Sequence, residues 1–173
     1  VVRVSKDIYK TLNDTLTLRF QTQEQAQNLE QLQHEKSSTE QRMQAIMDNS
    51  PAVIYAKDTD GRYIFINNKW EELFDQKKSG IIGKTDHEIF PKEFADEFVK
   101  NDNAVLTTGH SLESEETAPH EDGPHTYYTV KFPLFDDNTN PYAICGITTD
   151  ITKRKKMEDE IHSSQQHLQL YRQ

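Results

Sequence analysis

The strongest constraint on this chain is a long run without helix breakers. From Ser5 to Asn49 there is neither Pro nor Gly, and Gln, Glu, Leu and Thr dominate, so the spacing predicts one long helix. Asn49-Ser50-Pro51 ends it, because Pro lacks an N–H and disfavours helix in the residue before it. Leu18, Thr22, Gln25, Leu29, Leu32, Lys36, Thr39, Met43 and Ile46 recur at alternating four and three spacing, the seam of a two-stranded coiled coil. Thr22, Gln25, Lys36 and Thr39 make that seam weak. Two readings stay open: a coiled coil of soft register, or a solvated helix that pairs only because its neighbour dimerises.

A second such run follows Asp150 and reaches Gln173. Met157, Ile161, Ser164, Leu168 and Tyr171 repeat the four and three spacing. The join is abrupt: in Tyr142 to Met157 a β-branched strand pattern (Ile144, Ile147, Thr148, Thr149, Ile151) becomes a charged helical one without a loop. Asp150 and Thr152 are helix N-cap residue types at the join. Helix in and helix out around one small domain predict a parallel homodimer, both helices lying near the same two-fold axis.

Composition agrees with a small core carrying solvated helices. Of 173 residues only 34 % are hydrophobic, and the mean hydropathy is -0.88, too polar for one globule of that length. The net charge of -9 argues against a nucleic-acid partner, since Lys153-Arg154-Lys155-Lys156 is the only basic cluster. The single Cys145 excludes an intrachain disulfide framework and fits a reducing, cytoplasmic compartment. No apolar run approaches the ~20 residues that cross a bilayer, and Val1-Val2-Arg3-Val4 is no signal peptide. Any membrane link is expected from a segment outside this chain.

Between the helical runs the pattern is compact. Val53 to Lys57 and Arg62 to Asn67 read as a hairpin across Asp58-Thr59-Asp60-Gly61. Asn67 or Asn68 caps a short helix carrying Trp70, Leu73 and Phe74. Ser79-Gly80 and Gly83 divide the next stretch into turns. Pro91 then opens a longer helix with Phe94, Ala95, Phe98, Val99 and Leu106 on its apolar side and Gly109 as its stop. Three strands follow, Leu112 to Thr117, Thr126 to Phe135 and Tyr142 to Thr149, separated by turn-rich Pro119 to Pro124 and Asp136 to Pro141. The expected fold is antiparallel α+β, divided as a helical linker over 1–49, a folded domain over 50–150 and an outgoing helix over 151–173.

In order and spacing these residues resemble a PAS sensor domain over roughly residues 44 to 152. The resemblance rests on Asp58-Thr59-Asp60-Gly61-Arg62-Tyr63 to Asn67, on Gly83-Lys84-Thr85-Asp86 with Ile89-Phe90-Pro91, on Lys131-Phe132-Pro133-Leu134, and on Gly146 through Asp150-Ile151-Thr152. It is closest to PAS modules of bacterial sensor histidine kinases and diguanylate cyclases, in which the Asp-Ile-Thr motif starts a signalling helix. It implies a five-stranded antiparallel sheet, a ligand cleft between one face and the short helices, and a second face covered by the preceding helix or another subunit.

Strand alternation divides Tyr127, Thr129 and Lys131 from Tyr128, Val130 and Phe132, and Ile144, Gly146 and Thr148 from Cys145 and Ile147. By resemblance to flavin-binding PAS relatives, Thr148, two before Asp150, points into the cleft. That places Tyr127, Thr129, Lys131, Ile144 and Thr148 inside, with Ile64 and Ile66 from the second strand. Lys131 with two hydroxyls and a phenol is a donor set for a small anion. The alternative is that Lys131 reaches solvent or pairs with a carboxylate such as Glu116.

No cofactor is assigned. Haem-binding relatives take a His from the long helix, and Pro91 to Thr108 has none; His87 and His110 flank it and read as surface residues. Cysteinyl-flavin chemistry needs a Cys among the short helices, whereas Cys145 lies on the last strand and reads as a small buried hydrophobe. His120, His125, Glu121 and Asp122 share a turn-rich loop without a second ligand cluster, so no metal site is assigned. No nucleophile elbow, phosphate loop or His-Glu-x-x-His pattern occurs, and Glu160-Ile161-His162-Ser163-Ser164 is unlike a phosphoacceptor box; His162 and His167 read as solvated helix. The expectation is a non-enzymatic, dimeric sensory module that relays small-ligand or partner binding through Asp150, Ile151 and Thr152 to an effector outside the chain. The alternative is a ligand-free PAS domain used for dimerisation and spacing.

Overall fold

The computed structural model describes the backbone of residues 2–170 and the side chains of residues 8–165. Of the outgoing seam, Tyr171 lies outside the described residues, and the side chains of His167 and Leu168 lie outside those described. The chain forms two compact units, Val1–Ala45 and Ile46–Gln173. Helix α1 (Val2–Asp48) supplies the first, with Leu18, Leu29 and Leu32 exposed along it. Among the described residues of the unit, none buries that stripe. Among the described residues no helix is long and apolar enough to cross a membrane.

The second unit holds five antiparallel strands: β1 (Val53–Asp58), β2 (Tyr63–Ile66), β3 (Leu112–Ala118), β4 (His125–Phe135) and β5 (Pro141–Asp150). Their order is β2-β1-β5-β4-β3, so the last strand is the centre of the sheet. Helices α2 (Asn68–Phe74), α3 (Lys78–Ile81), α4 (Asp86–Ile89) and α5 (Lys92–Thr108) connect the two sides, and α6 (Thr152–Leu170) leaves directly from β5. This is the α+β, five-stranded arrangement expected from the strand pattern.

Local chemistry explains the turns. Gly61 takes φ 77° in the β1–β2 turn, and Gly109 takes φ 67° as the left-handed C-cap of α5, a conformation that costs glycine least. Asn67 is wholly buried and uses its entire amide. Its Oδ1 accepts from the Ile54 N–H (3.0 Å) and the Trp70 N–H (3.2 Å), and its Nδ2 donates to the Met47 and Ala52 carbonyls, both at 2.9 Å. One side chain therefore ties the end of α1, the start of β1 and the first turn of α2.

The core lies between the inner sheet face and the short helices. Trp70, 1 % exposed, packs against Tyr63, Phe74 and Phe90, with ring centroids 5.9, 4.8 and 6.4 Å away. Phe90 in turn meets Phe98 of α5 edge-on at 5.4 Å. On β5, Gly146 lies beneath the buried Tyr55 ring, and a Cβ there would stand 2.2 Å from the Tyr55 ring carbon Cζ. Only glycine lets that ring lie against the central strand. The outer sheet face keeps Ile64, Tyr128 and Ile147 exposed.

Candidate functional site: a charged and aromatic cleft on the inner sheet face

The inner face presents two buried lysines from different strands. Lys57 ends the in-pointing series Val53, Tyr55, Lys57 on β1, and Lys131 ends Tyr127, Thr129, Lys131 on β4. Both are 1 % exposed or less, so each needs a counter-charge. Helix α5 supplies one: Asp102 shares the buried stripe of Ala95, Phe98 and Val105. Lys57 Nζ donates to Asp102 Oδ2 at 2.8 Å and to Asp86 Oδ2 of α4 at 2.5 Å. Lys131 Nζ lies 2.8 Å from Asp102 Oδ1 and 2.9 Å from Glu116 Oε1 of β3. Tyr63 donates its phenol proton to Asp86 Oδ1 (2.9 Å), and Asn101 Nδ2 donates to Glu116 Oε1 (2.7 Å).

The electrostatics follow from this geometry. Burial works against the Asp102 carboxylate, but Lys57 and Lys131 outweigh it and hold its pKa below the ordinary carboxylate range. Burial also works against the Lys131 ammonium, yet Tyr55, Asp102 and Glu116 raise its pKa above the usual lysine value. The phenols of Tyr55 and Tyr63 are pushed well up by burial and by the neighbouring carboxylates. Lys57 Nζ also sits 4.8 Å from the Tyr63 ring centre and 5.3 Å from that of Tyr55.

Beside this cluster is a cavity of about 40 Å³. Its walls are mainly aromatic, with Tyr55, Tyr63, Trp70, Phe90 and Tyr127 among them, and its polar groups are Lys57, Asp86, Glu116, Thr129 and Thr148. The two threonine hydroxyls face each other at 3.1 Å.

Of the sequence-based site residues, Tyr127, Thr129 and Thr148 line this cavity. Lys131 lies in the adjoining cluster, and its charge is taken up by Asp102 and Glu116 rather than offered to an anion. The small-anion reading of Lys131 is corrected accordingly. Ile66 is 1 % exposed and belongs to the packed core. Ile144 is also buried but lines a separate hollow with Val99, Asp102 and Leu106. Ile64 is corrected outright: it is 47 % exposed on the outer side. The β1–β2 register shifts between Ala56 and Lys57, so that Tyr63 pairs with Lys57 and Ile66 with Tyr55, leaving Ile64 as the extra residue that reverses the phase. Lys57, Asp86, Asp102 and Glu116 complete the cluster. A lysine in phase with Val53 and Tyr55, and an aspartate on the apolar stripe of α5, were the sequence signals for the first and third.

A chain of contacts leads from the cavity to the outgoing helix. The Tyr127 hydroxyl is hydrogen-bonded to His120 Nε2 at 2.6 Å, and the His120 ring stacks on Phe74 with centroids 5.1 Å apart. The His125 ring centre is 4.3 Å from that of His120. His125 Nδ1 is 2.9 Å from Asp150 Oδ2, and its Nε2 is 3.0 Å from Asp122 Oδ1. Asp150 Oδ1 accepts the Thr152 N–H at 2.8 Å. Thr152 Oγ1 accepts the Thr126 N–H (2.9 Å), and the Ile151 N–H donates to the Thr126 carbonyl (2.9 Å). Asp150 thus serves the first turn of α6, while Thr152 and Ile151 tie that turn to β4.

The two histidines titrate in opposite senses. Burial and then His125 lower the pKa of His120, favouring the neutral ring. Burial opposes protonation of His125, but hydrogen bonds to Asp122 and Asp150 outweigh it and raise its pKa. Burial likewise works against the Asp150 carboxylate, and its bonds with Thr152 and His125 keep its pKa low. Burial pushes the Cys145 thiol up to about 11, leaving it protonated and unreactive at neutral pH. Among the described residues no His, Cys, Asp and Glu cluster has the makings of a metal site.

A five-stranded antiparallel sheet with its inner face under short helices, and a helix launched from its last strand, defines a PAS fold. The family model of that description matches residues 47–156, and the chain belongs to the PAS family. It is 32 % identical over 146 residues to the methanogenesis regulatory histidine kinase FilI of Methanothrix harundinacea, covering 84 % of this chain and 16 % of the kinase. It is 24 % identical over 120 residues to a diguanylate cyclase of Vibrio cholerae, covering 68 % of this chain and 37 % of the cyclase. Among solved structures, a Vibrio cholerae VqmA complex with ligand and DNA superposes with a TM-score of 0.59 at 26 % identity, over 64 % of this chain and 51 % of that one. The chain therefore spans a minor part of these curated relatives, and it is a PAS sensory domain homologous to those of histidine kinases and diguanylate cyclases.

Proposed function

We propose that this PAS domain is the dimeric input module of a bacterial-type signalling protein. A small molecule in the inner-face cavity biases the first turn of α6, and α6 passes the change to a histidine kinase or diguanylate cyclase effector. The observation that carries this reading is the unbroken contact path from Tyr127 in the cavity wall, through His120 and His125, to Asp150 at the start of α6. A path of packed and hydrogen-bonded groups is a physical route for coupling when both ends bias one element. The VqmA neighbour, described as a ligand complex, supports a ligand in this fold. The exposed stripe of α1 supports pairing through the flanking helices, which on this reading act as linker (1–49) and signalling helix (151–173) around a folded domain of 50–150.

A second reading, a ligand-free PAS used for dimerisation and spacing, draws on the small cavity and on the exposed Ile64, Tyr128 and Ile147 of the outer face. Native mass spectrometry of the purified protein separates the two. A stoichiometric small molecule supports sensing; repeated emptiness with no stabilisation across a metabolite panel refutes it. In the full-length protein, Asp150→Ala is expected to uncouple output while the domain stays folded. Unchanged regulation would refute the relay.

A further inference from the structure

The buried cluster does not balance its charges. It contains two ammonium groups, Lys57 and Lys131, and three carboxyl groups, Asp86, Asp102 and Glu116, all at most 5 % exposed. Each carboxyl group has a lysine Nζ within 2.9 Å, and Asp86 and Glu116 accept a further hydrogen bond from Tyr63 and Asn101. Counted at formal charge, two lysines against three carboxylates leave the set a surplus of one negative charge. Buried charge without a partner is costly, and an incoming cation would complete the cluster at three against three.

The cavity is shaped for such a group. Asp86, Glu116 and Lys57 line it, two carboxylates against one ammonium, and the walls around them are the rings of tyrosine, phenylalanine and tryptophan, residue types whose ring faces attract cations. Asp86 engages both carboxylate oxygens; Asp102 hydrogen-bonds through Oδ2 alone, its Oδ1 being 2.8 Å from Lys131 Nζ without a hydrogen bond; and the contacts of Glu116 with Lys131 and Asn101 both fall on Oε1. Of the two carboxylates that line the cavity, Asp86 and Glu116, only Glu116 keeps an oxygen, Oε2, without a partner in the cluster. A cavity of about 40 Å³ has room for roughly three waters, or for a few heavy atoms of a small organic ion.

Resting on the reading of this cleft as a ligand site, we propose that its ligand class is a small organic cation, a primary amine or a protonated nitrogen heterocycle, whose nitrogen meets Glu116 among the aromatic walls. The Thr129–Thr148 hydroxyl pair offers a second polar anchor at the cavity wall.

The test compares propylammonium, propionate and 1-propanol, three probes of nearly equal size and different charge, at millimolar concentration, by amide NMR of the whole chain. Propylammonium is expected to shift the Thr129 and Thr148 resonances in a saturable way, with propionate leaving them in place. Glu116→Gln, which removes the surplus charge, is expected to weaken the amine by on the order of tenfold. If propionate or 1-propanol binds as well as propylammonium, the cationic class is overturned while the cleft remains a ligand site. If none of the three binds to the wild-type chain, the inference falls together with the ligand-site reading. A wild-type result decides the matter even if Glu116→Gln does not fold.

Discussion

Strand β4 carries two ionic networks of different construction. Near its middle, Lys131 is sealed beneath α5 with Asp102 and Glu116, every member nearly or wholly out of water. At its start, His125 stands between Asp122 and Asp150 with a side chain 22 % exposed, at the point where α6 begins. The first joins groups with fixed charges, so it locks helix α5 onto the sheet. The second turns on a histidine, the side chain whose ordinary titration lies near neutrality, so it can change state without unfolding the domain. On the proposed sensing function, the first would be the rigid wall of the cavity and the second the soft joint at the start of α6.

The buried network is most sensitive at Asp102. Asp102→Ala removes the carboxylate that Lys57 and Lys131 share, leaving each with one partner, Asp86 and Glu116, and is expected to cost about 1.5–3 kcal/mol, measured by urea unfolding. A loss below about 1 kcal/mol would mean that the cluster is hydrated rather than sealed. Next in size is Gly146→Ala, which pushes the Tyr55 ring off the central strand. About 1–3 kcal/mol of destabilisation is expected, with the Thr148 and Thr129 environment disturbed in NMR spectra.

The joint should respond to pH where the wall does not. The raised pKa of His125 means that its contribution is complete below the ordinary histidine value of about 6.5 and is lost as pH rises through the raised value. The lowered pKa of His120 works the other way: its contribution is present above about 6.5 and is lost as pH falls through the lowered value. The joint is therefore most complete in a band around the ordinary value. Thermal melts across that band should show His125→Gln removing the loss on the alkaline side and His120→Gln the loss on the acid side. Identical pH profiles for the wild type and both variants would contradict the assignment.

Much of the wall was legible in the sequence and little of the joint. Alternation sorts Tyr127 and Thr129 onto one face of β4, and the resemblance to flavin-binding PAS relatives is what turns Thr148 and that face inward; β4 and β5 pair without irregularity over that stretch. Ile64 fails for the opposite reason: one extra residue in the β1–β2 ladder reverses the phase, and no turn residue announces it. Lys131 was visible as an inward lysine, but its partner Asp102 comes from a helix, and helix-to-sheet placement is not written in local periodicity. In the sequence His120 and His125 only share a turn-rich loop with Glu121 and Asp122. Their roles come from the Pro119 to Pro124 turn folding back so that one ring meets Tyr127 and the other Asp150, a tertiary fact.

The central claim is that the cavity wall and the start of α6 are energetically coupled. Its most direct test is a double-mutant cycle between Tyr127→Phe, which removes the phenol bond to His120, and Asp150→Asn, which weakens the link to His125. The readout is hydrogen exchange of the first-turn amides of α6 in wild type, both single variants and the double variant. The account predicts non-additive effects with a coupling of about 0.5–2 kcal/mol. Strict additivity would contradict it.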